Sequence, residues 1–119
     1  MRLDKMVKAT VDALEEIKGR DVVVLDVRRV TALFDKVIVA SGDSTRQNKS
    51  LARNVQEKLK SLGATVYGVE GEENGEWVLV DLGAVIVHVM QPAIRQHYNL
   101  EELWGGAAVV PKRRASGAR

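Results

Sequence analysis

Between residues 41 and 44 the chain reads Ser-Gly-Asp-Ser, a glycine-containing turn between an apolar run and an amphipathic stretch. Such a turn can offer backbone amides and a helix N-terminus to a phosphate group. An enzyme that transfers nucleotidyl groups would follow it with paired carboxylates holding Mg²⁺. Here the next residues are Thr45, Arg46, Gln47, Asn48 and Lys49, and no Asp-x-Asp follows. Asp26, Asp35 and Asp81 fall on separate elements. A serine helix cap is the simpler account of the turn. His88 and His97 have no partner at metal-ligand spacing, and neither HxxxH nor HExxH occurs. His88 reads as a strand histidine stacked by Trp77, and His97 as a helix-surface residue. Ser41 and Ser44 lie outside any Gly-x-Ser-x-Gly pattern. The expectation is no catalytic residue, no cofactor and no metal ligand.

Recognition chemistry is better represented. Trp77, Tyr98 and Trp104 are three of only five aromatic residues, and all lie in one third of the chain. Leu100, Leu103 and Trp104 share a stretch that lasts barely one helical turn before Gly105-Gly106. That is too much apolar surface for so short an element unless something covers it. Trp and Tyr combine large contact area with few rotors and are favoured as interface anchors. The region therefore reads as a docking surface, centred on Trp77, Leu100, Leu103 and Trp104.

Composition narrows the class. A chain of 119 residues suits one domain with a modest core, and 45% hydrophobic residues argue against general disorder. The absence of cysteine excludes disulfides and thiolate chemistry and agrees with a reducing compartment. Acids at Asp4, Asp12, Glu15 and Glu16 lead to the expectation of no signal or transit peptide. No window approaches the ~20 apolar residues of a membrane span. The expected setting is the cytoplasm, with no membrane contact. Lys112, Arg113, Arg114 and Arg119 carry the net charge of +2, because residues 1–111 hold 14 basic against 16 acidic side chains. The division expected is a domain over residues 1–106 and a basic flexible tail over 107–119.

The elements that must position these groups follow from periodicity. Leu3, Met6, Val7, Val11, Leu14 and Ile17 predict a helix over 3–18, stopped by Gly19. Apolar runs at 22–27 and 37–41 predict buried strands, with Leu33 and Phe34 anchoring the connection between them. Ser44 and Gln47 make a capping box for a second helix, whose stripe is Leu51, Val55, Leu59 and Leu62 and whose stop is Gly63. Its opposite face carries Arg46, Lys49, Arg53, Lys58 and Lys60 against Glu57 alone. That face reads as a solvated surface, or as a neighbour of an RNA backbone. Further strands are predicted over 65–69, 77–81 and the segment after Gly83. With Leu82-Gly83 as a two-residue turn, Trp77 faces His88, and Val78, Val80, Val85, Val87 and Val89 share one apolar face. Pro92 opens a short helix through Tyr98, and Asn99 caps a final one. The fold class is α/β of the α+β type, a single domain with a mixed five-stranded sheet and flanking helices.

At these residues the chain resembles the ribosomal silencing factor family, also called the Iojap family. The family pattern is a Trp before a strand, an Asp, a Gly turn, a strand ending in His, then Arg, Tyr and Leu-Glu-x-Leu-Trp. Trp77, Asp81, Gly83, His88, Arg95, Tyr98, Leu100, Glu101, Leu103 and Trp104 match it. Ala84 departs from it where many relatives carry an acid. The resemblance covers about residues 3–105. It implies a nucleotidyltransferase-like fold lacking the catalytic acids, and a non-enzymatic translation repressor. It also implies binding to the large ribosomal subunit through its protein fourteen, which sterically blocks association with the small subunit. The partner-binding set it implies is Trp77, Asp81, Arg95, Tyr98, Leu100, Glu101, Leu103 and Trp104, with Trp77, Leu100, Leu103 and Trp104 at the centre, Asp81, Arg95, Glu101 and Glu102 at the rim, and Tyr98 and His88 as structural supports. A homodimer through the same patch and a peripheral ribosomal RNA contact are further expectations. Two alternatives remain: an RNA-binding accessory factor in large-subunit biogenesis, using the second helix and the tail, and a small nucleotidyltransferase-like nucleotide-binding protein using the Gly42 turn.

Overall fold

Hydrophobic periodicity and cap chemistry translate directly into the first two helices of the computed structural model, which describes residues 1–104 and the backbone of 108–110. The elements are α1 (Leu3–Glu16), β1 (Arg20–Asp26), β2 (Lys36–Ser41), α2 (Thr45–Ser61), β3 (Gly68–Glu70), β4 (Trp77–Asp81), β5 (Val85–Met90), α3 (Pro92–Tyr98), α4 (Leu100–Leu103) and β6 (Ala108–Val110). α1 ends in two backbone bonds, from Lys18 N to Glu15 O and from Gly19 N to Leu14 O. The left-handed residue is Lys18, at φ 64°, rather than the expected Gly19. Gly19 is needed for closeness instead, since a Cβ there would lie 2.9 Å from the Leu14 carbonyl oxygen.

α2 opens on the expected Ser44 cap, with the reciprocal bond of the capping box moved one residue back, to Asp43. Ser44 Oγ accepts from Gln47 N at 3.0 Å, and Gln47 Oε1 reaches back to accept from Asp43 N. Two polar residues of α2 then finish α1. Gln47 Nε2 donates to Ile17 O, and Asn54 Nδ2 donates to Ala13 O at 2.7 Å. Carbonyls at a helix C-terminus lack intrahelical partners, so these side chains satisfy α1 while fixing the two helices against each other.

One mixed sheet runs in the order β3-β4-β5-β2-β1-β6, with β2 and β5 parallel and every other pair antiparallel. The five expected strands are all present, though β3 begins at Gly68 instead of residue 65. β6 is an addition, pairing with β1 within the stretch assigned to the tail. Three residues are too few to show a period, and the open edge of β1 supplies the ladder they join.

The β4–β5 hairpin differs from expectation by a slip of two. Trp77 faces Met90, Leu79 faces His88, and Asp81 faces Ile86. The two-residue turn is therefore Gly83-Ala84, closed by Leu82 N donating to Val85 O at 2.9 Å. Gly83 takes φ 86°, the positive angle such a turn needs at its first central position. Asp81 Oδ1 accepts from Gly83 N at 2.8 Å and stabilises the bend. A slip of two preserves side-chain alternation, so Val78, Val80, Val85, Val87 and Val89 still share one buried face.

That face meets Met6, Val11, Leu14, Leu51, Val55 and Leu59 of α1 and α2 in the larger core. The opposite face holds a smaller core of Leu25, Val27, Val37, Val39, Met90 and Leu100, edged by Phe34, Trp77, Ile94 and Trp104. The helices on this side are short, so part of the sheet's second face stays uncovered. Of the two side chains expected to anchor the connection from β1 to β2, Phe34 packs against the smaller core. Leu33, expected to share that role, is 83% exposed.

Candidate functional site

The second sheet face gathers most of the expected docking residues, but it assigns them different work. Trp77 stands half-buried at the start of β4, with its ring centroid 5.0 Å from that of Tyr98 at the end of α3. Its indole Nε1 donates to Nδ1 of His88 at 2.9 Å. His88 is buried, and burial pushes its pKa down to about 4. The imidazole is thus neutral and carries its proton on Nε2. Leu79, directly opposite His88, leaves the indole to reach it diagonally.

Pro92 occupies the first turn of α3, where its missing N–H has no intrahelical role. At the other end Asn99 adopts the left-handed conformation, φ 45° and ψ 65°. Its amide donates to Arg95 O, closing α3, while its carbonyl accepts from Glu102 N and Leu103 N, opening α4. Asn99 therefore caps both helices through its backbone. Its side chain makes no cap bond and instead donates to Glu102 Oε1 at 3.1 Å, a correction to the expected side-chain cap.

Arg95 locks this helix pair to the sheet. Its Nη1 donates to Ser41 Oγ at 3.0 Å, and its Nε and Nη2 both donate to Glu101 Oε2, the latter at 2.8 Å. The Arg95 side chain is only 11% exposed. Arg95 and Glu101 thus spend their charges on each other, holding β2, α3 and α4 together.

Leu100 is 6% exposed and belongs to the smaller core. It cannot serve as an open anchor; its burial positions α4. Trp104 is half-buried with its ring edge-on to Phe34 at 5.6 Å. Its indole nitrogen is buried without a hydrogen-bond partner among the described residues. Leu103 and Tyr98 are the exposed members, at 67% and 55%. Tyr98, expected as a support, is therefore open to a partner, whereas His88 is the buried support it was expected to be. His97 lies on the surface of α3, edge-on to Tyr98.

Asp81 sits at the far end of β4, about 13 Å along the strand from Trp77 at ~3.3 Å per residue. There it lines a groove of about 440 Å³ with Leu33, Phe34, Tyr67, Gly83 and Ile86. Leu33 and Tyr67 are strongly exposed, and sequence reasoning singled out neither as a surface group. No sequence signal marked Tyr67, which the strand expected over 65–69 would have contained; the structure places it just before β3. Half-buried Leu79 lies between the groove and Trp77 on the same sheet face, and Phe34 joins the groove to Trp104.

The Gly42 turn is occupied from within. Gly42 N donates to Met90 O, Asp43 N to Gln47 Oε1, and the Asp43 carboxylate pairs with Arg20 at 2.7 Å. A Cβ at residue 42 would lie 2.2 Å from Oδ1 of Asn48, whose Nδ2 donates to Gly75 O. Gly42 is required for the approach of Asn48, and the amides of Gly42 and Asp43 are already spoken for. Among the described residues no three His, Asp or Glu side chains converge, and no helix is long and apolar enough to cross a membrane.

The described residues form a single α+β domain whose second sheet face is left partly open and lined with aromatic and aliphatic side chains. The chain belongs to the ribosomal silencing factor family: the family model described as "Ribosomal silencing factor during starvation" matches residues 1–118. A ribosomal silencing factor of Chromobacterium violaceum is 54% identical over 106 residues, spanning 89% of this chain and 87% of the relative. The factor of Haemophilus influenzae is 38% identical over 99 residues, spanning 83% and 97%. A crystal structure of a Chromobacterium violaceum protein superposes with a TM-score of 0.87 at 53% identity, covering 88% of each chain.

Proposed function

We propose that this protein is a translation repressor that docks on the large ribosomal subunit through its protein fourteen and blocks subunit joining by occupying space. The observation that carries the reading is the pair of exposed apolar side chains, Tyr98 and Leu103, set on a helix pair that Arg95 and Leu100 hold rigidly to the sheet. Preorganised anchors bind well because little side-chain freedom is lost on docking. A standard interface buries ~1,600 Å² in total, so the face would extend from Tyr98, Trp77 and Leu103 toward Leu33, Tyr67 and Ile86. Asp81 and Glu102 lie at its rim and would set orientation more than affinity. No bond is made or broken in this mechanism, so it needs neither a catalytic group nor a cofactor. It operates in the cytoplasm, where the subunits meet. In the free protein the same apolar face would pair two copies, and a homodimer competes with subunit binding.

The test is co-sedimentation with purified large subunits, followed by a joining assay with small subunits in sucrose gradients. Binding with suppressed joining is expected. Undiminished joining at saturating protein would sink the reading.

A further inference from the structure

The smaller core and the open apolar face lie on one side of the sheet; α2 lies on the other. Its buried stripe is Asn48, Leu51, Ala52, Val55 and Leu59. Arg46, Lys49, Arg53, Glu57 and Lys60 follow one another at spacings of three and four, so they share the solvent face. Lys58 is paired with Glu16, whereas Arg46, Lys49, Arg53 and Lys60 have no ion-pair partner among the described residues.

Lys60 in the last turn suits the helix dipole, but the placement of Arg46 works against it. Arg46 stands in the first turn, where the macrodipole is positive, and no acid accompanies it. A helix tuned only for its own stability carries acids there. The loop between β3 and β4 sets Gly75 against Lys49, yet none of its glutamates comes within ion-pair distance of that lysine among the described residues. The face also lacks the aromatic or aliphatic centre of a protein–protein interface. What it offers is a line of positive charge about 21 Å long from Arg46 to Lys60, at ~1.5 Å per residue. Regularly spaced negative charge is its complement.

We infer that the solvent face of α2 seats on the phosphodiester backbone of ribosomal RNA, through Arg46, Lys49, Arg53 and Lys60. The inference rests on the reading that the protein binds ribosomal subunits. With no aromatic side chain on this face there is nothing for a base to stack on, so the contact follows the backbone and ignores base sequence. Anchoring one side of the domain to RNA while the opposite side grips a protein would fix its orientation on the subunit.

The experiment measures binding of the full chain to isolated large subunits and to a naked ribosomal RNA duplex across a salt series. It compares wild type, Arg46→Gln/Arg53→Gln/Lys60→Gln, and Lys112→Gln/Arg113→Gln/Arg114→Gln. Each phosphate contact contributes about 0.7–0.9 to the slope of log affinity against log salt. The α2 variant should lose about 2–3 from that slope on naked RNA and bind it at least ~10-fold more weakly. On subunits it should bind more weakly without losing the site. Unchanged affinity and slope in the α2 variant would overturn the inference, as would a loss confined to the tail variant. Weakened subunit binding with intact RNA binding would assign the face to an acidic protein and equally overturn it. If wild type fails to bind subunits at all, the functional reading itself fails, a result distinct from these.

Discussion

Trp77 and His88 share one hydrogen bond, from indole Nε1 to imidazole Nδ1 at 2.9 Å, and the two rings tilt together with centroids 5.8 Å apart. Desolvation holds the imidazole neutral, with its pKa lowered from 6.5 to about 4. The unfolded chain takes up a proton near pH 6.5 that the folded chain refuses until about pH 4. Acidification through that window therefore destabilises the fold, by up to about 3 kcal/mol, and above it His88 has no pH-dependent effect. Urea denaturation of wild type and His88→Gln at pH 7 and 4.5 checks this. The variant should lack about 2–3 kcal/mol of the acid-side loss. Parallel curves would mean that His88 titrates normally.

Exposed and buried members of the aromatic end should separate cleanly on mutation. Tyr98→Ala with Leu103→Ala removes surface groups, and thermal stability should change by less than about 1 kcal/mol. Binding to large subunits should fall by about 2–4 kcal/mol, on the order of thirty-fold or more. Leu100→Ala acts on the fold itself. It opens a cavity in the smaller core and should cost about 2–5 kcal/mol of folding stability. A Leu100 variant that melts like wild type would place that side chain outside the core.

Arg95 is a clamp whose geometry a lysine cannot copy, because one ammonium does not span Ser41 and Glu101 as the guanidinium fork does. Arg95→Lys should loosen α3 and α4 while the α1–α2 side stays intact. Amide hydrogen exchange should show faster exchange at residues 95–103 and no change in β2 or α2. Subunit binding should weaken in step with that loosening.

Gly42→Ala drives a methyl group into Oδ1 of Asn48, and should cost about 1–3 kcal/mol. Gly42→Ala with Asn48→Ala should recover part of the loss, since the clash partner is gone. Isothermal titration of wild type with ATP and Mg²⁺ should give no heat, because the turn's amides bind Met90 and Gln47. Saturable heat would revive the nucleotide-binding alternative.

Much of this architecture was legible in the residues. Ser44 and Gln47 declared the start of α2, Pro92 the start of α3, and the alternating valines the buried side of the hairpin. Each depends on a local rule that neighbours in the chain satisfy. What stayed hidden depended on distant atoms. A slip of two leaves the alternation untouched, so only the Gly83 turn geometry could set the register. β6 exists because β1 offers it an edge.

The proposed docking patch divides along the same line. The sequence by itself determined that Trp77, Tyr98, Leu103 and Trp104 would be concentrated near one end, because composition and spacing are properties of the chain. Only the tertiary structure decided which of them face outward. Leu100 falls into the smaller core, Arg95 and Glu101 turn toward each other, and Tyr98 and Leu103 stay in solvent, because burial is set by what packs opposite. Leu33 and Tyr67 join them as exposed side chains, although the Tyr67 ring rests against Gly83.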